Sequence, residues 1–143
     1  LVGEIKKINP EIIHLLTIQG FIPVISPLGI GPEGKTYNIN ADYAAGALGG
    51  ALKAHKLVML TDVEGIYLSN EPESLASKLS TKEIRDYLKK GTINGGMIPK
   101  VESCLLALEH GVSHVHIIDG RKPHALLLEI FTNKGIGTMI VPD

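Results

Sequence analysis

Four short clusters in this 143-residue chain combine residue types that ligand binding and group transfer need. The first is Tyr37-Asn38-Ile39-Asn40-Ala41-Asp42. Asn38 and Asn40 can donate to an anionic substrate, and Asp42 can orient a cation, a lysine or a metal. The same types also build an Asx-turn and a helix N-cap. The second is Thr61-Asp62-Val63-Glu64-Gly65-Ile66-Tyr67, a polar strand end running into a glycine turn. Asp62 can accept from ribose hydroxyls or a nucleobase, although a plain strand-ending turn uses the same residues. The third is Gly95-Gly96-Met97-Ile98-Pro99-Lys100. Backbone amides of a glycine turn at a helix start suit phosphate oxygens, and Lys100 supplies a point charge. There is no GxxxxGK(S/T), so the P-loop solution is excluded.

The fourth cluster runs from His124 through Glu129 to Gly135, Gly137 and Thr138. His124 and Glu129 flank an apolar run and can grip a cationic small molecule. A surface helix with exposed polar ends is the alternative. His14, His55, His110, His114 and His116 show no pairing with carboxylates or cysteine of the kind metals need, and no metal site is expected. His114 and His116 alternate on a strand and share a face. Cys104 sits on an apolar helical face and reads as an inert core thiol.

Positioning these clusters falls to a regular alternation of elements. Pro10 opens a helix with Ile12, Ile13, Leu15 and Leu16 on its apolar side, and Gly20 stops it. Phe21 to Ser26 reads as a buried strand and Thr36 to Ile39 as a brief one. Asn40 or Asp42 caps a small-residue helix over Ala44 to Ala54, with Gly46, Gly49 and Gly50 inside it. Interior glycines cost about 1 kcal/mol each against alanine, so close approach of a backbone or ligand is expected there. Leu57 to Leu60 reads as a second buried strand. Ser80-Thr81-Lys82-Glu83 matches a capping box for a helix reaching about Lys90. Val101, Cys104, Leu105 and Leu108 form one face of a helix that Gly111 ends. His114 to Ile118 is a strand, His124 to Phe131 a short helix, and Gly137 to Val141 a strand that closes the sheet. This order indicates an α/β layered fold with a mainly parallel central sheet, in a single domain over residues 1–143. Such sheets bind ligands beyond the carboxyl ends of their strands, which picks out Thr61-Asp62 and Asp119-Gly120.

Composition closes off other classes. Hydrophobic residues make up 44% and charged residues 20%, enough apolar side chain to exclude intrinsic disorder. No apolar run approaches the ~18–20 residues of a spanning helix. A net charge of −1 favours neither nucleic acid nor an anionic membrane, and aromatics at 4% argue against base-stacking platforms. The single cysteine forms no internal disulfide. The chain opens at Leu1 into a helix-like pattern without a signal peptide, as a segment from inside a longer protein or a trimmed domain would.

In order, YNINAD, LTDVEGI, GGMIPK, HALLLEIF and GIGTMI resemble the carboxyl-terminal, nucleotide-binding half of the acetylglutamate kinases, a branch of the amino acid kinase family. The resemblance covers essentially all 143 residues and implies an amino acid kinase-like carboxyl-terminal domain. Members are about twice as long, and the half carrying an early lysine, a glycine pair and a substrate-gripping arginine has no counterpart in this sequence. By the resemblance, Asn38 binds N-acetyl-L-glutamate, Asp42 organises the catalytic lysines, and Lys100 stabilises the transferred phosphoryl group. Asp62, Val63, Glu64, Gly65, Ile66 and Tyr67, with Gly96, Met97 and Lys100, would contact ATP, and magnesium would travel on the nucleotide. His124, Glu129 and Gly135 match the segment marking arginine-inhibited members. The resemblance further implies a cytoplasmic enzyme of arginine biosynthesis, in the plastid stroma in photosynthetic eukaryotes. It would be a homo-oligomer when full length, under PII signal protein control in some photosynthetic lineages. The fragment alone is expected to be inactive. The alternatives are another family member, such as glutamate 5-kinase, aspartate kinase or uridylate kinase, and a non-catalytic nucleotide- or arginine-binding module.

Overall fold

Glycine, proline and capping side chains set where the elements begin and end. The structure, a computed structural model, describes residues 1–132 and 135–143. Asn133 and Lys134, inside the segment that marks arginine-inhibited members, lie outside the described residues. Helix α1 (Glu11–Ile18) starts behind Pro10 and is followed by Gly20 at φ +84°, a left-handed stop that glycine adopts without strain. Strands β1 (Leu28–Ile30) and β2 (Thr36–Asn38) pair as an antiparallel hairpin. Helix α2 (Ala41–Ala51) is capped by Asn40, whose Oδ1 accepts from the Asp42 and Tyr43 amides at 2.9 and 3.2 Å. Then follow β3 (Lys56–Thr61), β4 (Lys78–Ser80), α3 (Thr81–Lys89), α4 (Met97–Glu109), β5 (His114–Asp119), α5 (Ala125–Phe131) and β6 (Thr138–Val141). The capping box at α3 forms as expected, with Ser80 Oγ accepting from Glu83 N and the Glu83 carboxylate from Ser80 N.

The central sheet has the order β3-β5-β6-β4. Two of its pairings, β3/β5 and β4/β6, are parallel, and β6 runs antiparallel to β5. This is the α/β layered fold with a mainly parallel sheet. Alternation along β5 separates two layers. Val115 and Ile117 point into a core with Val101, Cys104, Leu105 and Leu108 of α4. His116 points the other way and meets Glu129 of α5. The α4 side is the larger core, completed by Met59, Leu79, Ile84 and Ile140.

Several expectations need correction. Phe21 to Ser26 forms no strand, and Ile22 and Val24 are 91% and 95% exposed. A buried strand needs neighbours along its edges and over its faces, and no described strand pairs with this run. The chain opens without a helix before Glu11, and Val2 bridges Asn38. Strand β3 is only partly buried, because it is the edge of the sheet and leaves Leu60 exposed. Strand β6 does not close an edge: it is inserted between β5 and β4. Strands β1 and β4, three residues each, carried too little periodicity to read.

These burial differences predict a contrast in urea unfolding. Ile117→Ala empties a fully buried site and is expected to cost about 2–5 kcal/mol. Val24→Ser, on the exposed run, should move stability by no more than about 0.5 kcal/mol. A large loss for Val24→Ser would show that the run is buried after all.

Candidate active site

Two helices converge on one ion pair. Asp42 lies in the first turn of α2 and Lys100 in the first turn of α4, where Pro99 is tolerated because no intrahelical donor is needed. Lys100 Nζ lies 3.2 Å from Asp42 Oδ2 and 3.5 Å from Oδ1, and both side chains are about one-quarter exposed. The interior glycines explain how the helices come so close. A Cβ on Gly46 would stand 2.6 Å from the Ser103 carbonyl oxygen, and one on Gly50 would stand 2.5 Å from His110 Cβ. The expected close approach is that of the α4 backbone at Gly46, and of side chains at Gly49 and Gly50. Tyr43 adds a second cross-helix contact, donating to Glu102 Oε2 at 2.7 Å, a bond that raises the phenol's pKa.

Asn38 ends β2 with its side chain exposed, while its backbone bonds Leu1 and Gly3. Asn40 is committed to the helix cap. Asp42 and Lys100 are thus the two candidate residues brought into direct contact from 58 positions apart.

The carboxyl ends of β3 and β5 lie side by side, with Thr61 opposite Asp119. From there the Asp62–Tyr67 loop is tightly held. Thr61 Oγ1 accepts from Val63 N at 3.0 Å, and Ile66 N donates to the buried Thr138 Oγ1 at 2.8 Å. Tyr67 donates to Glu64 Oε2 at 2.7 Å, and Lys122 pairs with the other oxygen of that carboxylate. The Lys122 ammonium, then the Tyr67 hydroxyl, hold the Glu64 pKa below its usual range. Asp62 is exposed. Asp119 receives the Arg121 guanidinium and backbone amide, which lower its carboxyl to about 2.

The same loop opens on a cavity of about 600 Å3 lined by Ile66, Tyr67, Lys90, Thr92, Asn94 and Met97. Met97 thus joins the Asp62–Tyr67 loop, and Lys100 follows one turn later on α4. Gly96 is exposed beside them. The Met97 and Ile98 amides already donate to Asn94 and Gly95 carbonyls, so they offer less to a phosphate than the glycine pair suggests.

The fourth cluster separates. His124 is exposed at φ +61°, just before α5, and Gly135 is exposed. Glu129 is not an exposed helix end: its side chain is 5% accessible. Its Oε1 lies 3.2 Å from Lys56 Nζ and 2.5 Å from His116 Nδ1. His116 Nε2 is buried without a hydrogen-bond partner among the described residues, and the His55, His114 and His116 rings meet edge-on in sequence. Lys56, His116, Arg121 and Lys122 lie outside the four clusters that the sequence picks out. Only the shared face of His114 and His116 hinted at one of them.

The sequence profile of the Amino acid kinase family matches residues 1–119. Acetylglutamate kinases from Pelotomaculum thermopropionicum and Methanocaldococcus jannaschii are 58% and 55% identical over 97% and 99% of this chain. The match covers 48% of each, so the chain spans about half the length of these curated relatives. Among solved structures, N-acetylglutamate synthase from Neisseria gonorrhoeae, complexed with coenzyme A and L-arginine, superposes with a TM-score of 0.86. It is 33% identical over 98% of this chain and 32% of its own. The T. acidophilum isopentenyl phosphate kinase has a TM-score of 0.65 at 23% identity, covering 97% of this chain and 56% of that one, a likeness of fold.

The buried histidines predict an acid-side loss of stability. Burial, the largest cause, lowers the His116 pKa against the opposing pull of Glu129, and burial lowers His114 as well. The unfolded chain therefore takes up protons that the folded chain resists. The associated stability is complete above the ordinary imidazole pKa of about 6.5 and declines as pH falls below it. Urea midpoints between pH 8 and pH 5.5 should show this decline, and His116→Gln should flatten it. Asp119 acts in a separate window: its contribution is complete above the ordinary carboxyl range and is lost as pH falls towards about 2. A decline between pH 8 and 5.5 that is the same in His116→Gln would discount the imidazole.

Proposed function

The chain belongs to the amino acid kinase family, and on that premise we propose that it is the nucleotide-binding half of an acetylglutamate kinase. That enzyme transfers the γ-phosphoryl group of ATP to the side-chain carboxylate of N-acetyl-L-glutamate, a step of arginine biosynthesis. The observation that carries the reading is the Asp42–Lys100 pair, held between the first turns of α2 and α4.

Phosphoryl transfer to a carboxylate brings two anions together, so the protein's work is positioning and charge neutralisation. The acceptor is already ionised and needs no strong base. Lys100 places an ammonium where negative charge spreads over the transferred group, and Asp42 keeps that ammonium in register. Asn38 donates to the acetylglutamate. The Asp62–Tyr67 loop and the Gly96–Met97 segment receive the nucleotide beside the cavity they share. Magnesium would come with the ATP and would supply further neutralisation of charge. Among the described residues, no group of three His, Cys, Asp or Glu is set to hold a metal.

Arginine is proposed as a feedback inhibitor, held with the help of His124, Glu129 and Gly135. Glu129 already serves as a cation acceptor for Lys56, and the similar Neisseria synthase was crystallised with L-arginine. That synthase also supports a second reading, an arginine-binding module without phosphoryl transfer. Arginine binding with no transfer in the joined enzyme would select it. A cytoplasmic homo-oligomer, open to PII control in photosynthetic lineages, completes the proposal.

Residues 1–143 alone should make no detectable acetylglutamyl phosphate, since the substrate half is missing from them. Joined to an acetylglutamate-binding half, the enzyme should be active. In it, Lys100→Ala should lower kcat on the order of 10²–10³-fold while weakening ATP binding less. Asp42→Asn should also lower kcat, and Asn38→Ala should chiefly raise the KM for acetylglutamate. A kinetically silent Lys100→Ala overturns the mechanism.

Inhibition is tested separately, in the same joined enzyme. Glu129→Gln should shift the arginine inhibition curve roughly 10–150-fold to higher concentration, the cost of one charge-assisted contact. The KM for ATP without arginine should stay put. Superimposable inhibition curves would remove Glu129 from the arginine site.

A further inference from the structure

The motif GIGTMI contributes a residue that neither the ion pair nor the arginine segment uses. Thr138 is fully buried at the start of β6. Its Oγ1 accepts from Ile66 N at 2.8 Å and donates to Ala76 O at 2.6 Å. Ile66 and Ala76 form the base of a hairpin: Ala76 N donates to Ile66 O at 2.9 Å, Tyr67 bridges Leu75, and Leu68 N donates to Ser74 O. The hydroxyl therefore sits between an N–H and a carbonyl of the two hairpin arms and satisfies both. Gly65 makes room for it, and Gly137 lets the Glu64 and Ile117 carbonyls close in beside it. A Cβ on Gly65 would stand 2.6 Å from Thr138 Oγ1, and one on Gly137 would stand 2.8 Å from Glu64 O and overlap Ile117 O. Residues Glu64 to Ile66 are thus in backbone contact with the start of β6, and the Ile66–Asn70 wall of the cavity hangs from that contact.

We infer that Thr138 is a positioning residue of the nucleotide site, its hydroxyl pinning the Ile66–Ala76 hairpin, and with it the Asp62–Tyr67 loop, to β6. The inference rests on the reading that this loop receives ATP. Thr138 is buried and is not itself a substrate contact. It acts through the backbone of Ile66. Valine has nearly the same shape but no hydroxyl, so Thr138→Val leaves a buried N–H and a buried carbonyl without their shared partner. Serine retains the hydroxyl and loses only the methyl.

The test uses this chain, with amide hydrogen exchange and titration by magnesium ATP up to millimolar concentration. Thr138→Val is expected to speed exchange at Ile66 roughly tenfold or more, the size of one lost buried hydrogen bond. It should weaken ATP binding by a similar factor and leave the α4 amides of Val101 to Leu108 protected. Thr138→Ser should restore both readouts to within about twofold. Should Thr138→Val unfold the chain, the serine variant carries the test: a tenfold change in either readout, with α4 protected, overturns the inference. ATP binding by the parent with an unchanged Kd in a folded Thr138→Val would overturn the positioning role alone. No ATP binding by the parent would overturn the nucleotide reading, and this role with it. The exchange data would then still report whether the hydroxyl holds the loop.

Discussion

Two helices that touch backbone to backbone organise the site half of this molecule. Helices α2 and α4 approach where Gly46 faces the Ser103 carbonyl and Gly50 faces His110. Side chains at those positions would force the helices apart. Asp42 lies one turn before Gly46, and Lys100 almost one turn before Ser103. The two contacts run in the same direction along both helices, so their amino-terminal turns arrive together, and with them the carboxylate and the ammonium. The price of interior glycine, about 1 kcal/mol each, is offset by packing at a distance no larger residue permits. Chemistry and packing are here the same constraint seen at two ends of one helix pair.

The charged groups divide into two regimes. At the strand ends, Glu64 and Lys122 pair within reach of water, where the contact adds little stability but fixes loop geometry, while the exposed Arg121 reaches the buried Asp119. On the other face of β5, Glu129, His116 and Lys56 form a cluster with the carboxylate almost wholly enclosed. There the balance differs. Removing one partner from such a buried set typically costs about 3–5 kcal/mol, because the remaining charge is left without compensation. Helix α5 buries only Ala125 and Glu129, so this cluster is a principal anchor of the helix.

The Asp62–Tyr67 loop is tied to the start of β6. Strand β6 begins with Thr138, whose hydroxyl accepts from the Ile66 amide. A single buried hydroxyl thereby joins both arms of the Ile66–Ala76 hairpin to a strand 72 and 62 positions further along the chain. Such a junction does not transmit a signal by itself. It does mean that the start of β6 and the loop cannot be rearranged independently without leaving buried backbone groups unsatisfied.

Residue types and spacing alone determined the helices with strong punctuation. Pro10 and Gly20, Asn40, the Ser80–Glu83 capping box and Gly111 are local signals, decided by a few dihedrals and one hydrogen bond each. The sequence also carried the layered α/β class, the family resemblance, and the clusters around Asp42, Asp62 and Lys100. Tertiary structure alone decided which of those residues meet. The contact between Asp42 and Lys100 depends on helix packing across 58 positions. Burial of Glu129 depends on which face of β5 receives α5. The run from Phe21 to Ser26 marks the limit most plainly: its composition is that of a buried strand, yet burial is a property of neighbours, and no described strand pairs with it. Local free energies are written in adjacent residues; pair distances and burial arise from long-range packing, which no single segment encodes.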